Sequence, residues 1–272
     1  MDELKEIKIG NTKIIALKDG ELNLPKEVLV NLSEEIENNL DNNDLNLSNI
    51  NAFLIQQEDK NLLVDTGCRD LFGPTCGFIL DELDKANVKP NDITDIFFTH
   101  LHPDHIGGAI SKDGKPVFPN ASVKVLSKEI DFWMKDDFED IEVNGKNFAD
   151  LAKSVLSAYG EKLSSISEDD EIINNVHAVS LPGHTPGHAG FRVDESNNTF
   201  MHLGDILHTP NLQLADPKIS LVFDVDMEEG LKTRTRLFDM VSNEKILCSG
   251  GHMLMPKFGY IERSGLGYKF NG

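Results

Sequence analysis

Thr99-His100-Leu101-His102-Pro103-Asp104-His105-Ile106-Gly107-Gly108 sets three imidazoles and a carboxylate within six residues. Crowding that many polar, titratable groups costs a folded chain unless they share a task. Ile93-Thr94-Asp95-Ile96-Phe97-Phe98 leads into it and reads as a β-strand. If strand geometry persists, His100 and His102 point the same way and reach one cation. Asp104 and His105 fall past a turn, at the start of a helix, where they can address a second cation. The alternative, an ordinary turn with Asp104 capping a helix and solvated histidines, leaves the clustering unexplained.

Working outward, Asn61-Leu62-Leu63-Val64 and Ala52-Phe53-Leu54-Ile55 read as a hairpin whose second strand ends in Asp65-Thr66-Gly67. Apolar residues at Phe78, Ile79, Leu83 and Ala86 recur at helical spacing before Pro90. Strand, helix, strand predicts an α/β layered fold. Lys8-Ile9 and Lys13 to Leu17 form an opening hairpin around Gly10-Asn11, and Asp226 is a natural N-cap for a helix from about Met227 to Val241. Residues 31–49, rich in Asn, Asp and Glu without a sustained period, predict a long loop or short helical pieces. Residues 128–163, with Phe132, Trp133 and Phe138, predict a helical cover that lends aromatic side chains to an apolar substrate pocket.

Three more predicted strands also end in tight turns bearing His or Asp: Val176 to Leu181 before Pro182-Gly183-His184, Thr199 to Leu203 before Gly204-Asp205, and Lys245 to Cys248 before Gly250-Gly251-His252. Strand ends meeting at one sheet edge are how a rigid scaffold builds a site. His184 can complete the first cation's ligands, Asp205 can bridge, and His252 can complete the second. His188 competes with His184, although a structural hydrogen bond suits it better. His202 reads as packing, His177 as surface, and His208 as a pocket residue.

Composition limits the partners. The 272 residues carry 26 Lys and Arg against 46 Asp and Glu, a net charge of −20. So acidic a surface repels phosphate backbones and anionic lipids, which argues against nucleic-acid and membrane partners. Met1 to Glu6 shows no basic stretch leading into an apolar run, and the three cysteines, Cys68, Cys76 and Cys248, fit no disulfide framework. The expected location is the cytoplasm.

The motif His-x-His-x-Asp-His, followed by distant His, Asp and His, resembles the metallo-β-lactamase-fold hydrolases. The likeness runs from Asp65-Thr66-Gly67 to His252. It implies a single domain over 1–272 with a four-layer αββα sandwich. It also implies His100, His102 and His184 on one metal, Asp104, His105 and His252 on the other, Asp205 as the bridge, and Asp65 behind the ligands. Gly204-Asp205-Ile206-Leu207-His208, Leu212-Gln213-Leu214-Ala215-Asp216-Pro217, Phe223-Asp224-Val225-Asp226, and His252 with Pro256 and Gly259 resemble the methyl parathion hydrolase and quorum-quenching acyl-homoserine lactonase branch. Where common zinc β-lactamases place Cys on the second metal, Asp205 stands here, which argues against penicillin-type activity.

Two divalent cations sharing a water lower its pKa toward neutrality and supply a hydroxide nucleophile. Asp104 is the expected residue to orient it and pass a proton to the leaving group. Zinc suits this His-rich set, while manganese, iron and cobalt fit the same donors. The resulting expectation is a hydrolase opening lactone or ester bonds of the N-acyl homoserine lactone type, acting as a homodimer as the branch suggests. The alternatives are an aryl phosphotriester hydrolase, a mononuclear-iron persulfide dioxygenase, and a non-catalytic metal-stabilised binding protein.

Overall fold

Two apolar faces alternate along the central strands, and that alternation dictates the layers. In β2 (Thr12–Asn23), Ile14 and Ala16 face one core while Ile15 and Leu17 face another. In β4 (Leu47–Gln57), Phe53 and Ile55 oppose Ala52 and Leu54 in the same way. A sheet buried on both sides reads as unbroken apolar runs, as these segments do.

The computed structural model describes residues 4–40, 46–138, 144–254 and 257–272. Residues 1–3, 41–45 of the expected loop, 139–143 of the expected cover, and Pro256 lie outside the described residues. The first sheet also contains β1 (Lys5–Ile9), β5 (Lys60–Val64), β6 (Asp95–Phe97), β7 (Ser122–Leu126) and β8 (Leu163–Ile166), in the order β1-β2-β4-β5-β6-β7-β8. The second, in the order β14-β12-β11-β10-β9, is built from β9 (Glu171–Ile173), β10 (Val176–Ser180), β11 (Ala189–Glu195), β12 (Asn198–His202) and β14 (Leu247–Ser249). Short β3 (Leu29–Val30) pairs with β13 (Ser220–Leu221), and β15 (Tyr260–Ser264) with β16 (Gly267–Asn271).

Between the sheets lie Phe53, Val64 and Phe97 from one and Phe191, Val193 and Phe200 from the other. Outside the first sheet, α2 (Ile79–Lys85), α4 (Ser127–Trp133) and α5 (Lys146–Tyr159) cover Leu17, Leu54 and Leu63. Outside the second, α7 (Met227–Glu244) lays Leu237, Phe238 and Val241 on Leu181, Met201 and Leu203. The result is the expected αββα sandwich. Asp226 caps α7 by accepting from the Glu229 amide at 2.9 Å. Among the described residues no helix is long and apolar enough to cross a membrane.

Segment 31–49 holds a short helix, α1 (Glu34–Asn39), capped by Ser33, and its last residues, Leu47 to Asn49, already belong to β4. That strand start was hidden because pairing with Glu21, Leu22 and Asn23 of β2, not an apolar run, orders it.

Strand direction places the site. β5 and β6 run parallel in the first sheet; in the second, β10 and β12 each lie antiparallel to β11, and β12 is parallel to β14. The C-terminal ends of β10, β12 and β14 therefore open on one edge, where they deliver His184, Asp205 and His252.

Candidate metal centre

The loop after β6 departs from strand geometry at once. β6 stops at Phe97, so His100 and His102 do not share a pleat as expected. Instead a residue before proline is driven to extended backbone, and His102 (φ −72°, ψ 153°) precedes Pro103, which opens the short helix α3 (Pro103–Ile106). The two rings still converge, with centroids 4.6 Å apart. Asp65 fixes the loop from behind, its carboxylate accepting from the Thr99 amide at 2.9 Å and the Thr99 hydroxyl at 2.8 Å. Gly108 permits the close approach: a Cβ there would sit 2.0 Å from the Thr66 carbonyl oxygen.

The seven expected residues meet in two groups whose ligand atoms lie within 4.8 Å of one another: His100, His102 and His184; and Asp104, His105, Asp205 and His252. Asp205 Oδ2 sits between them, 2.8 Å from His252 Nε2, 3.0 Å from His105 Nε2, 3.7 Å from His100 Nε2 and 3.8 Å from His184 Nε2. Asp104 Oδ2 lies 3.5 Å from His105 Nε2 and 3.6 Å from His252 Nε2.

Outward-facing nitrogens have protein partners. His105 Nδ1 is 2.8 Å from Asp65, His184 Nδ1 is 2.8 Å from Asp224, and His252 Nδ1 meets the Asn49 carbonyl and, at 3.2 Å, the Ser48 hydroxyl. Inward, the Nε2 atoms of His100, His102, His105 and His184 are buried without a hydrogen-bond partner, as is Asp205 Oδ1. Burial pushes His100 and His102 well below the usual imidazole range, so both offer lone pairs. Buried orphan acceptors converging on two points, with the other nitrogens of His105 and His184 tied by carboxylates and that of His100 by the Thr99 hydroxyl, fit divalent cations.

His188 is a hydrogen-bonding residue, as expected. Its Nδ1 donates to the Leu181 carbonyl at 2.6 Å and its Nε2 accepts from the Asp205 amide at 2.7 Å, which holds the turn bearing Asp205. Burial pushes its pKa down to about 3. His202 packs between the sheets, stacked on Phe191 at 4.8 Å.

Above the cluster lies a cavity of about 250 Å³ lined by Leu22, Leu24, Pro25, Val28, Phe72, Phe148, Leu221 and Phe223, with His102, Asp104, His184, Asp205, His208 and His252 at its polar end. Phe132, Trp133 and Phe138 do not line it. Trp133 and Phe138 stack on each other at 5.3 Å, buried where α4 and α5 meet the first sheet. Among the described residues Phe148 is the one aromatic residue from the 128–163 segment in the wall; Phe72 comes from the loop between β5 and α2, and the other apolar residues from β2, β13 and the loops around β3 and β13. A larger groove of about 520 Å³, bordered by Lys60, Lys124 and Glu195, carries none of the imidazoles.

The model of the metallo-beta-lactamase superfamily matches residues 45–252. The chain belongs to that superfamily. Over 106 residues it is 34% identical to a probable metallo-hydrolase of Methanocaldococcus jannaschii, a match spanning 39% of this chain and 44% of that protein. An N-acyl homoserine lactonase of a Bacillus species is 24% identical over 222 residues, covering 74% of this chain and 80% of the relative. Among solved structures, AidC, a dizinc quorum-quenching lactonase in complex with a product, N-hexanoyl-L-homoserine, superposes with a TM-score of 0.90 at 26% identity, covering 98% and 96% of the two chains. The hydrolase AbOPH follows the same fold with a TM-score of 0.87 at 24% identity, over 98% and 96%. Membership makes the chain a metal-dependent hydrolase.

For one residue of this superfamily member, quoted in the sequence only as part of the likeness, the contact it makes could not be read locally. Asp224 belongs to the stretch before α7, and only the fold carries it to His184. Asp224→Ala is expected to weaken metal binding about 10-fold to 100-fold, the usual effect of losing a carboxylate behind a histidine ligand. Titration against a competing metal chelator checks this, and unchanged affinity would remove Asp224 from the centre.

Proposed function

We propose that this chain hydrolyses lactones of the N-acyl homoserine class at a two-metal centre. The observation that carries the reading is the apolar cavity ending on the imidazole and carboxylate cluster. A ligand shaped for it has an apolar tail and one reactive polar head. The lactonase relatives and AidC support the same class.

In this reading His100, His102 and His184 hold one divalent cation, Asp104, His105 and His252 the second, and Asp205 is shared. When bound, such a pair polarises an ester carbonyl and lowers the pKa of water. Zinc suits these nitrogen and oxygen donors, and manganese, iron or cobalt would also fit. Asp104 keeps 19% of its side chain exposed, unlike the buried ligands around it, and so can take a proton and return it to the leaving oxygen. That oxygen stays tethered in a lactone, and the product is a hydroxy acid. His208, whose buried Nδ1 has no partner, lies in the cavity wall where it can hydrogen-bond the ring-opening ester. Leu22, Leu24, Val28 and Phe223 surround the acyl chain and exclude water. The net charge of −20 favours a small, uncharged substrate over a polyanion.

The test is acid release in a pH-stat from N-hexanoyl homoserine lactone with zinc-loaded protein. Rapid, catalytic ring opening is expected. A protein that binds two zinc ions yet releases no acid from acyl chains of any length would overturn the substrate class.

A further inference from the structure

Glu129 sits in α4 with no solvent exposure, and among the described residues no Lys or Arg acts on its carboxylate. Its carboxylate instead faces four donors. Oε1 accepts from the Leu101 amide at 2.9 Å and the Trp133 indole at 2.7 Å. Oε2 accepts from the Thr185 hydroxyl at 2.6 Å and the Gly187 amide at 3.1 Å. Leu101 is the residue between His100 and His102, and Thr185 directly follows His184. One carboxylate therefore ties the two loops that supply one complete group of three imidazoles.

The approach is tight on every side. A Cβ on Gly187 would sit 2.1 Å from the Glu129 backbone nitrogen, so the His184 loop rests directly on α4. Trp133, one turn along the same helix, presents its ring edge-on to His102 with centroids 5.6 Å apart. His105, Asp205 and His252, by contrast, are held by other residues, Asp65, His188 and Asn49 respectively.

We infer that Glu129 is a positioning residue that locks the loops of His100, His102 and His184 together and so sets the metal affinity of that group alone. The inference rests on the reading that both groups hold metal. Its chemistry depends on two oxygens each accepting twice. A glutamine keeps the size but offers one oxygen, and its amide nitrogen must confront either the Leu101 and Trp133 donors or the Thr185 and Gly187 donors. One loop is then released whichever way the amide turns.

The experiment is equilibrium zinc binding per chain across a range of buffered free zinc, for the wild type, Glu129→Gln, Thr185→Val and His184→Ala, with thermal unfolding recorded for each. In the wild type two equivalents are expected, and His184→Ala identifies which belongs to the three-histidine group. Glu129→Gln is expected to weaken that equivalent about 10-fold to 100-fold, the range for residues behind metal ligands, and to leave the other unchanged. Thr185→Val, a near-isosteric change that removes one donor, is expected to weaken the same equivalent less, and it carries the test alone if Glu129→Gln does not fold. Two unaltered equivalents in the folded variants, or weakening of both equally, would overturn the inference. Failure of the wild type to bind two ions would instead overturn the two-metal reading, and this inference with it.

Discussion

In Asp205→Asn, lactone hydrolysis is expected to fall about a thousandfold in kcat/KM, the loss of several kcal/mol of metal-assisted stabilisation at roughly 1.4 kcal/mol per tenfold. Asp205 Oδ2 lies within 3.8 Å of an Nε2 in both imidazole groups, with Asp205 itself buried. Burial alone would raise its pKa, but attraction to His105, His252 and His100 overrides this and holds it well below the usual carboxylate range. An amide of the same shape keeps one oxygen and turns the other into a nitrogen with no lone pair to offer. Metal content should fall together with the rate if the proposed sharing holds, since Asp205 Oδ2 lies near imidazoles of both groups. A variant that retains two ions and acts within tenfold of the wild type would show that Asp205 bridges nothing.

Arg234→Met is expected to destabilise the fold by about 3–5 kcal/mol, the range for breaking a buried charge pair. Arg234 is 1% exposed in α7. It donates to the Ile206 carbonyl, to the Pro217 carbonyl at 2.8 Å and to the Ile219 carbonyl at 3.1 Å, and its guanidinium lies 3.7 Å from Asp224. Methionine fills the volume but takes this donor from the Ile206 and Pro217 carbonyls, while the Ile219 carbonyl keeps the Gln213 amide at 3.0 Å, and it leaves Asp224 a buried anion supported, among the described residues, by His184 and the Leu221 amide. Arg234→Lys should not rescue, because a single ammonium cannot reproduce the fork. Thermal unfolding in chelator isolates the effect from metal loss, and a drop of roughly 10 °C is expected for a chain of this size. A drop under 2 °C would mean the carbonyls find other donors.

These two residues mark where sequence reading succeeds and fails. Asp205 was legible because it stands at a strand end behind a glycine, one of four such ends, and because His100 to His105 announce a centre within a single short window. The contacts of Arg234, Asp224 and Glu129 were not legible. Each is an ordinary charged residue in or beside a helix, and its partner is far away in the chain: Glu129 and Thr185 are separated by 56 residues and Arg234 and Pro217 by 17. Only tertiary packing makes such contacts, and no local period encodes them. The aromatic residues failed for a related reason. Trp133 at the end of α4 and Phe138 in the stretch after it lie in the right segment but turn inward to the core, and among the described aromatic residues of that segment Phe148 alone reaches the cavity. The α/β layering was readable from strand, helix and strand, whereas the four-layer αββα arrangement came only through the family likeness; the structure gives its physical reason in Ile14 to Leu17 and Ala52 to Ile55, apolar on both faces of a sheet covered on both sides.

The division of the chain between the sheets has a thermodynamic consequence. Residues 5–166 supply the whole first sheet and residues 171–249 the whole second, so the sandwich is two consecutive stretches of chain laid face to face. His100, His102, Asp104 and His105 come from the earlier stretch, and His184, Asp205 and His252 from the later. An ion gripped by both acts as a clasp across the seam and has no complete site in either stretch alone. Clasping and docking are then linked by mass action, and the free energy holding the stretches together grows with the logarithm of free metal above its dissociation constant. The resistance of this protein to unfolding is in that sense a property shared with its surroundings, set by the metal supply as much as by the chain.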